Sequence, residues 1–233
     1  MFVKEPDLKT QISDSIPCGI LLALSGGCMD AYSFLFRGRV FANAQTGNML
    51  LFGVNLANGN FYDALKYLLP VVVFTAGIIL SDFINRKKTT IRVHWRQISV
   101  LIEALILIGV AFMPEKANTV ANALTSFVCG IQVESFRKIH GNSITTTMCI
   151  GNLRSGTYNI DKYMATRDKK YLRKGLLYFG IILAFVVGAV IESWLLPSLG
   201  SFAILMSPVL LMAALVIMFY NVAPDDGDTY IEG

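Results

Sequence analysis

Six stretches of this chain are apolar and nearly free of charge over bilayer-like lengths: residues 16–36, 65–84, 98–113, 120–136, 176–196 and 202–220. A helix crossing about 30 Å of hydrocarbon needs roughly 20 apolar residues, and its backbone groups must pair within the segment because lipid supplies no partner. That leaves helices as the spanning elements. Composition agrees: of 233 residues, 54% are hydrophobic and 15% charged, against about 25% charged in a soluble domain. Mean hydropathy is +0.56. The chain reads as an all-α integral membrane protein, with the lipid bilayer as its first partner.

Two further stretches are hydrophobic but polar in the wrong places for a lipid-facing helix. Residues 40–57 carry Asn43, Gln45, Thr46, Asn48 and Asn55; residues 142–157 carry Thr145, Thr146, Thr147, Asn152 and Arg154. Irregular backbone at membrane depth is tolerated where protein or a water-filled cavity surrounds it. Both are therefore expected to be re-entrant or broken helices inside the bundle, with Gly47 and Gly151 as the breaks.

The chain says this twice. Residues 26–53 read GGCMDAYSFLFRGRVFANAQTGNMLLFG and residues 130–157 read GIQVESFRKIHGNSITTTMCIGNLRSGT. At a constant offset of 104, Gly26 falls on Gly130, Asp30 on Glu134, Gly47 on Gly151 and Asn48 on Asn152. Further on, FVVGAVIE (185–192) echoes FTAGIILS (74–81) at an offset of 111, which implies a small insertion. An internal duplication follows, dividing one membrane domain into a first repeat, 16–114, and a second, 115–222.

Loop charges set the expected topology, because short basic loops stay in the cytoplasm. The bases at 86–96, 137–140 and 167–174 all fall inside if the two polar segments do not cross, which gives six full spans. Arg37 and Arg39 are the exceptions. Three spans per half turn the second half upside down, so the repeats have inverted topology and both termini are cytoplasmic. The segment 1–15 mixes acids and bases and lacks the basic n-region of a secretory signal. The tail 223–233 is acidic. The location expected is a cytoplasmic membrane, with pairing into a homodimer left open.

The long first motif resembles the YoaK-like family of bacterial multi-pass inner-membrane proteins, in which G-G-x-x-D-A-x-x-F/Y leads into V-F-A-N-x-Q-T-G-N. The likeness extends over nearly the whole chain, through the second-half GIQ and T-x-x-x-G-N. Ile150 departs from it, standing where Thr is expected before the glycine. The resemblance implies a bacterial multi-pass membrane protein and assigns no activity.

Inverted repeats with interrupted helices near the midplane are the architecture of secondary transporters. The expected function is a small-solute or ion transporter or channel. Its substrate-binding set would be Asp30, Asn43, Gln45, Thr46, Gly47, Asn48, Glu134, Thr146, Thr147, Gly151, Asn152 and Arg154. The amides and hydroxyls would replace water around the solute, and the glycines would let backbone approach it. Asp30 and Glu134 are candidates for proton coupling or cation binding. Arg154 would be an anion partner or the counter-ion of Glu134. Each also has a plain structural reading: glycines as helix contacts, asparagines as caps, the acids paired with Arg37 or Lys138 or bonded to a neighbouring helix end, Arg154 snorkelling to the interface. Asp82, Glu103 and Glu192 are expected at the interfaces. The four cysteines read as small core residues. No His lies in a span and no Ser/His/Asp or HExxH arrangement occurs, so no enzyme, metal or cofactor is expected. The bases sit beside spans, so nucleic acid is not a partner. A non-transporting assembly partner or sensor is the alternative.

Overall fold

Ser15 starts the first helix: its side chain accepts from the Cys18 N–H, and Pro17 occupies the first turn, where its missing N–H costs nothing. The computed structural model describes residues 15–86, 95–139 and 141–220. The N-terminal segment before Ser15, residues 87–94 of the basic loop, His140 and the acidic tail lie outside the described residues. Eight helices follow in order: α1 (Ile16–Leu35), α2 (Gln45–Ala57), α3 (Phe61–Arg86), α4 (Trp95–Ala111), α5 (Asn118–Ser135), α6 (Cys149–Thr166), α7 (Lys169–Leu199) and α8 (Met206–Tyr220). Short 3-10 turns, Glu115–Ala117 and Gly200–Leu205, precede α5 and α8. A small antiparallel ladder, β1 (Lys138–Ile139) and β2 (Asn142–Ser143), interrupts the helices, with Lys138 opposite Ser143 and Ile139 opposite Asn142.

Among the described residues, three stretches are long and apolar enough to cross a membrane: α1, α3, and the 51-residue run Lys169–Phe219 that contains α7 and α8. Their outward faces suit lipid. Leu65, Val72 and Ile79 recur every seven residues on α3, all more than half exposed, and Leu176, Leu183 and Val190 do the same on α7, at 39% exposure or more. Such apolar stripes need a nonaqueous environment. The 111-residue offset carries the first stripe onto the second (65 + 111 = 176).

The packing repeats as well. Helix α1 crosses α7 where Gly27 meets the backbone of Phe185 and Ala189, and Gly188 meets Leu24. Helix α5 crosses α3 where Gly130 meets the backbone of Phe74 and Ile78, and Gly77 meets Phe127 and Ile131. A Cβ at any of these four would collide with main chain. Helix α2 folds back on α3 as α6 does on α7, α1 rests on α8 as α5 does on α4, and α4 packs on α8. Each half thus lends its third helix to the first helix of the other half. Leu22, Met29, Tyr32, Leu107, Val128 and Leu211 fill the shared core.

These crossings correct the alignment. Gly27, not Gly26, is the counterpart of Gly130, an offset of 103, so Asp30 corresponds to Val133 and the two acids are not equivalents. The second half takes up one extra residue in its β-hairpin region. The later difference, 111 − 104 = 7, lies in α6 and the start of α7; α6 has 18 residues where α2 has 13.

The polar segments also differ from expectation. Neither Gly47 nor Gly151 breaks a helix: both lie in the first turn of one. The non-helical stretches precede them, at 36–44 in the first half and, with the β1–β2 ladder, at 136–139 and 141–148 in the second, and the helices begin at Gln45 and Cys149. Helix α6 runs through Asp161 and Lys162 to Thr166, and α7 carries Pro197 within it. A turn at 58–60 joins α2 to α3, with Gly59 at φ +74°.

Candidate functional site

The two loop-to-helix junctions, ahead of α2 and of α6, are built by the same device. Asn48, buried in the first turn of α2, reaches back seven residues: Phe41 N–H donates to its Oδ1 at 3.0 Å, and its Nδ2 donates to Phe41 O at 2.7 Å. Asn152, in the first turn of α6, holds Thr145 identically, at 3.3 Å and 2.7 Å. One carboxamide satisfies both main-chain groups of one residue, which buried backbone requires. Asn48 Nδ2 also donates to Gln45 Oε1 at 2.9 Å, and Gln45 Nε2 to Ala42 O at 2.7 Å. Asn48, Gln45 and Asn152 are therefore committed to the frame.

Asp30 serves the first of these junctions. Its carboxylate lies against the N–H groups of Ala42, Asn43 and Ala44, with Asn43 N–H donating at 2.8 Å. Cys149, the first residue of α6, is within its electrostatic reach. Neither Ala44 nor Met148 caps its helix with a side chain, and an acid near helix N-termini complements their partial positive charge.

Both junctions converge on one turn of α1. Asn43 Nδ2 donates to Gly26 O at 2.9 Å. On the same glycine, a Cβ would come within 3.1 Å of the Thr147 Cγ2 methyl. One turn earlier, Leu22 O accepts from Gln132 Nε2 at 3.0 Å, and the same nitrogen reaches Thr146 Oγ1 at 3.2 Å. These donations fix the amide orientations and leave Asn43 Oδ1, Gln132 Oε1 and Thr147 Oγ1 buried, with no hydrogen-bond partner among the described residues. Buried polar atoms are nearly always paired. Three residues with such an atom, from three elements, thus contact the Leu22–Gly26 turn, which carries a fourth, Ser25 Oγ.

The remaining expected residues fall elsewhere. Glu134 is held by Arg137, not by Lys138 or Arg154. Thr46 is exposed, and Gly47 lies under the Phe41 ring. Gly151 and Arg154 line a surface cavity of about 470 Å³ together with Thr145, Asn152, Ser155 and Tyr158. Glu103 and Glu192 are fully buried, with neither oxygen of either paired among the described residues, rather than interfacial. Asp82 does lie near a helix end, 2.9 Å from Arg86. Gln132 was missed; its signal is a lone uncharged polar residue within an apolar run. Arg37 was missed too. It is fully buried and pairs with no acid among the described residues, donating instead to Tyr32, Val110, Met113, Pro114, Asn118 and Ser201 at 2.7–3.2 Å.

The profile of the DUF1275 family, described as a protein of unknown function, matches residues 18–218, a stretch that takes in both polar junctions and reaches into all eight helices. The chain belongs to the DUF1275 family. It is similar to the UPF0700 transmembrane protein YoaK of Bacillus subtilis (strain 168), at 25% identity over 206 residues, covering 84% of this chain and 90% of that one. No solved structure matches. The YoaK-like resemblance read from the motif holds, and the protein is an all-α membrane protein.

Proposed function

We propose that this DUF1275 protein moves a small solute or ion across a bacterial cytoplasmic membrane, through a site over the Leu22–Gly26 turn of α1. The observation that carries the reading is the set of three unpaired buried groups, Asn43 Oδ1, Gln132 Oε1 and Thr147 Oγ1. Two are carbonyl acceptors and one is a hydroxyl. They suit a solute that presents hydrogen-bond donors or a weakly hydrated cation. Main-chain breaks beside the site are the backbone arrangement that substrate sites of transporters use.

The topology belongs to the same proposal. Helix α2, at 13 residues, is about 20 Å long, short of the roughly 30 Å of hydrocarbon. Helix α6 is amphipathic and polar. On this reading α1, α3, α4, α5, α7 and α8 cross, α2 and α6 do not, and the halves are inverted repeats with both termini in the cytoplasm. The protein is then a carrier or channel and not an enzyme.

Flux into proteoliposomes, screened over monovalent cations and small amines and amides, tests this. Gln132→Leu and Thr147→Val each remove one group facing the site. Each is expected to lower flux about 5–10-fold, the worth of one hydrogen bond, while the unfolding temperature in detergent holds. Unchanged flux in both variants would sink the site. A protein without flux that co-purifies with a second membrane protein would read instead as an assembly partner.

A further inference from the structure

We propose that the cavity at the start of α7 binds the phosphate-bearing headgroup of an anionic membrane lipid. The cavity has a volume of about 720 Å³ and is lined by Lys169, Lys170, Arg173 and Lys174, with Ile16 of α1 and Leu177 of α7 as apolar wall. Among the described residues, no acidic side chain lines it. The nearest in sequence, Asp168, is occupied in starting α7, accepting from Lys170 N–H at 2.8 Å. Among the described residues, none of the four cations forms an ion pair.

The local charge balance calls for an anionic ligand. Lys169 and Lys170 stand in the first turn of α7, where the helix dipole disfavours positive charge, and no acid shares that turn. Four like charges in six residues repel one another as well. Asp168 at the helix start offsets part of this charge; a residue pattern that still breaks a local rule marks a functional place, and a bound phosphate would offset more of the remainder. The repeat points the same way. Lys169 and Lys170 belong to the extension that the first half lacks, and at the 111-residue offset Arg173 and Lys174 fall on Tyr62 and Asp63 in the first turn of α3. Bundle packing does not need the cluster.

Position selects a lipid over free phosphate. The uncharged run of α7, 175–191, begins directly after Lys174, so the cations stand at headgroup depth. Leu177 and Ile16 continue the cavity towards the hydrocarbon, where an acyl chain would lie. Basic pockets between membrane helices hold anionic headgroups in this way.

The test uses the full chain purified in detergent and titrated with phosphatidylglycerol or phosphatidylcholine of matched acyl chains, with bound lipid counted by native mass spectrometry. Phosphatidylglycerol is expected to bind in preference. In K169Q/K170Q/R173Q that preference should fall by about 100-fold, at roughly fivefold per cation near an anionic surface, while K66Q/K116Q keeps it. The lipid-free unfolding temperature should be the same in all three proteins. Equal binding of the two lipids, or a triple variant that retains the preference, overturns the proposal. So does inorganic phosphate at millimolar concentration displacing phosphatidylglycerol, because the site would then take the free ion.

Discussion

At the scale of single residues, the side chains that matter most are those that pair with backbone. Arg37 gathers carbonyls from the C-terminal end of α4, where a cation also meets the negative end of the helix dipole. Its own carbonyl accepts from Asn122 at 2.7 Å. Arg37→Lys keeps the charge but cannot reproduce the planar fork. Leaving several carbonyls unpaired should cost about 3 kcal/mol or more, and so lower the unfolding temperature by roughly 6–12 °C. A melting curve in detergent that matches the parent would show that the fork is dispensable. The asparagine clamps make a paired prediction. Asn48→Asp and Asn152→Asp keep the acceptor and lose the donor, setting a carboxylate against a carbonyl. Each should cost about 1–3 kcal/mol, Asn48→Asp the more of the two, because it also gives up the bond to Gln45 Oε1. Asn55→Asp, which gives up one half-exposed bond to Leu51 O, should cost less than either in the same denaturation series. An Asn152→Asp variant no less stable than Asn55→Asp would mean that the loop ahead of α6 is not held by this clamp.

At the scale of elements, the crossings of α1 on α7 and α3 on α5 depend on close backbone approach. Association in lipid lacks a hydrophobic drive and relies on packing of this kind. Gly27→Ala and Gly130→Ala put a methyl group into main chain, so both should destabilise by several kcal/mol, as overpacking does at its upper end. Gly53 and Gly109 are helical too, but nothing lies within 4 Å of an added Cβ. There alanine should stabilise by about 0.5–1 kcal/mol, through the backbone entropy it removes. Opposite signs at the two classes of glycine, read from melting in detergent, are the expected result; four alike would break the packing argument. The sequence shows all four glycines and cannot sort them, because the sorting depends on which helix lies opposite.

At the scale of the whole molecule, the helix count separates two topologies. With six spans, the turn at Lys116 and the turn at Arg167 lie on opposite faces; with eight, they share one. Lys116→Cys and Arg167→Cys, labelled in intact cells with a membrane-impermeant maleimide, should differ: Lys116→Cys reacts from outside and Arg167→Cys only after permeabilisation. Labelling of both from outside would mean that α6 crosses and that the inverted repeat is wrong. The exchange of third helices between halves also bears on motion. Neither half can rock as a unit without carrying the other's helix, so any gating would be sought in the loops ahead of α2 and α6 and in their clamps.

The sequence by itself determined the class of protein. Apolar length and scarce charge admit only helices in lipid, and the motif at 26–53 points to the family. It also carried the doubling, since Asn48 and Asn152 keep their spacing to everything they clamp. Tertiary structure decided what each polar residue does. From sequence, Asp30 and Glu134 look alike; in space, one carboxylate is held by three N–H groups and the other by Arg137. Gln132 looks incidental in an apolar run, yet its nitrogen is tied to Leu22 and its oxygen is left free. Hydropathy depends on what a residue is, whereas pairing depends on which backbone group another helix brings within about 3 Å. Only the packed bundle determines that.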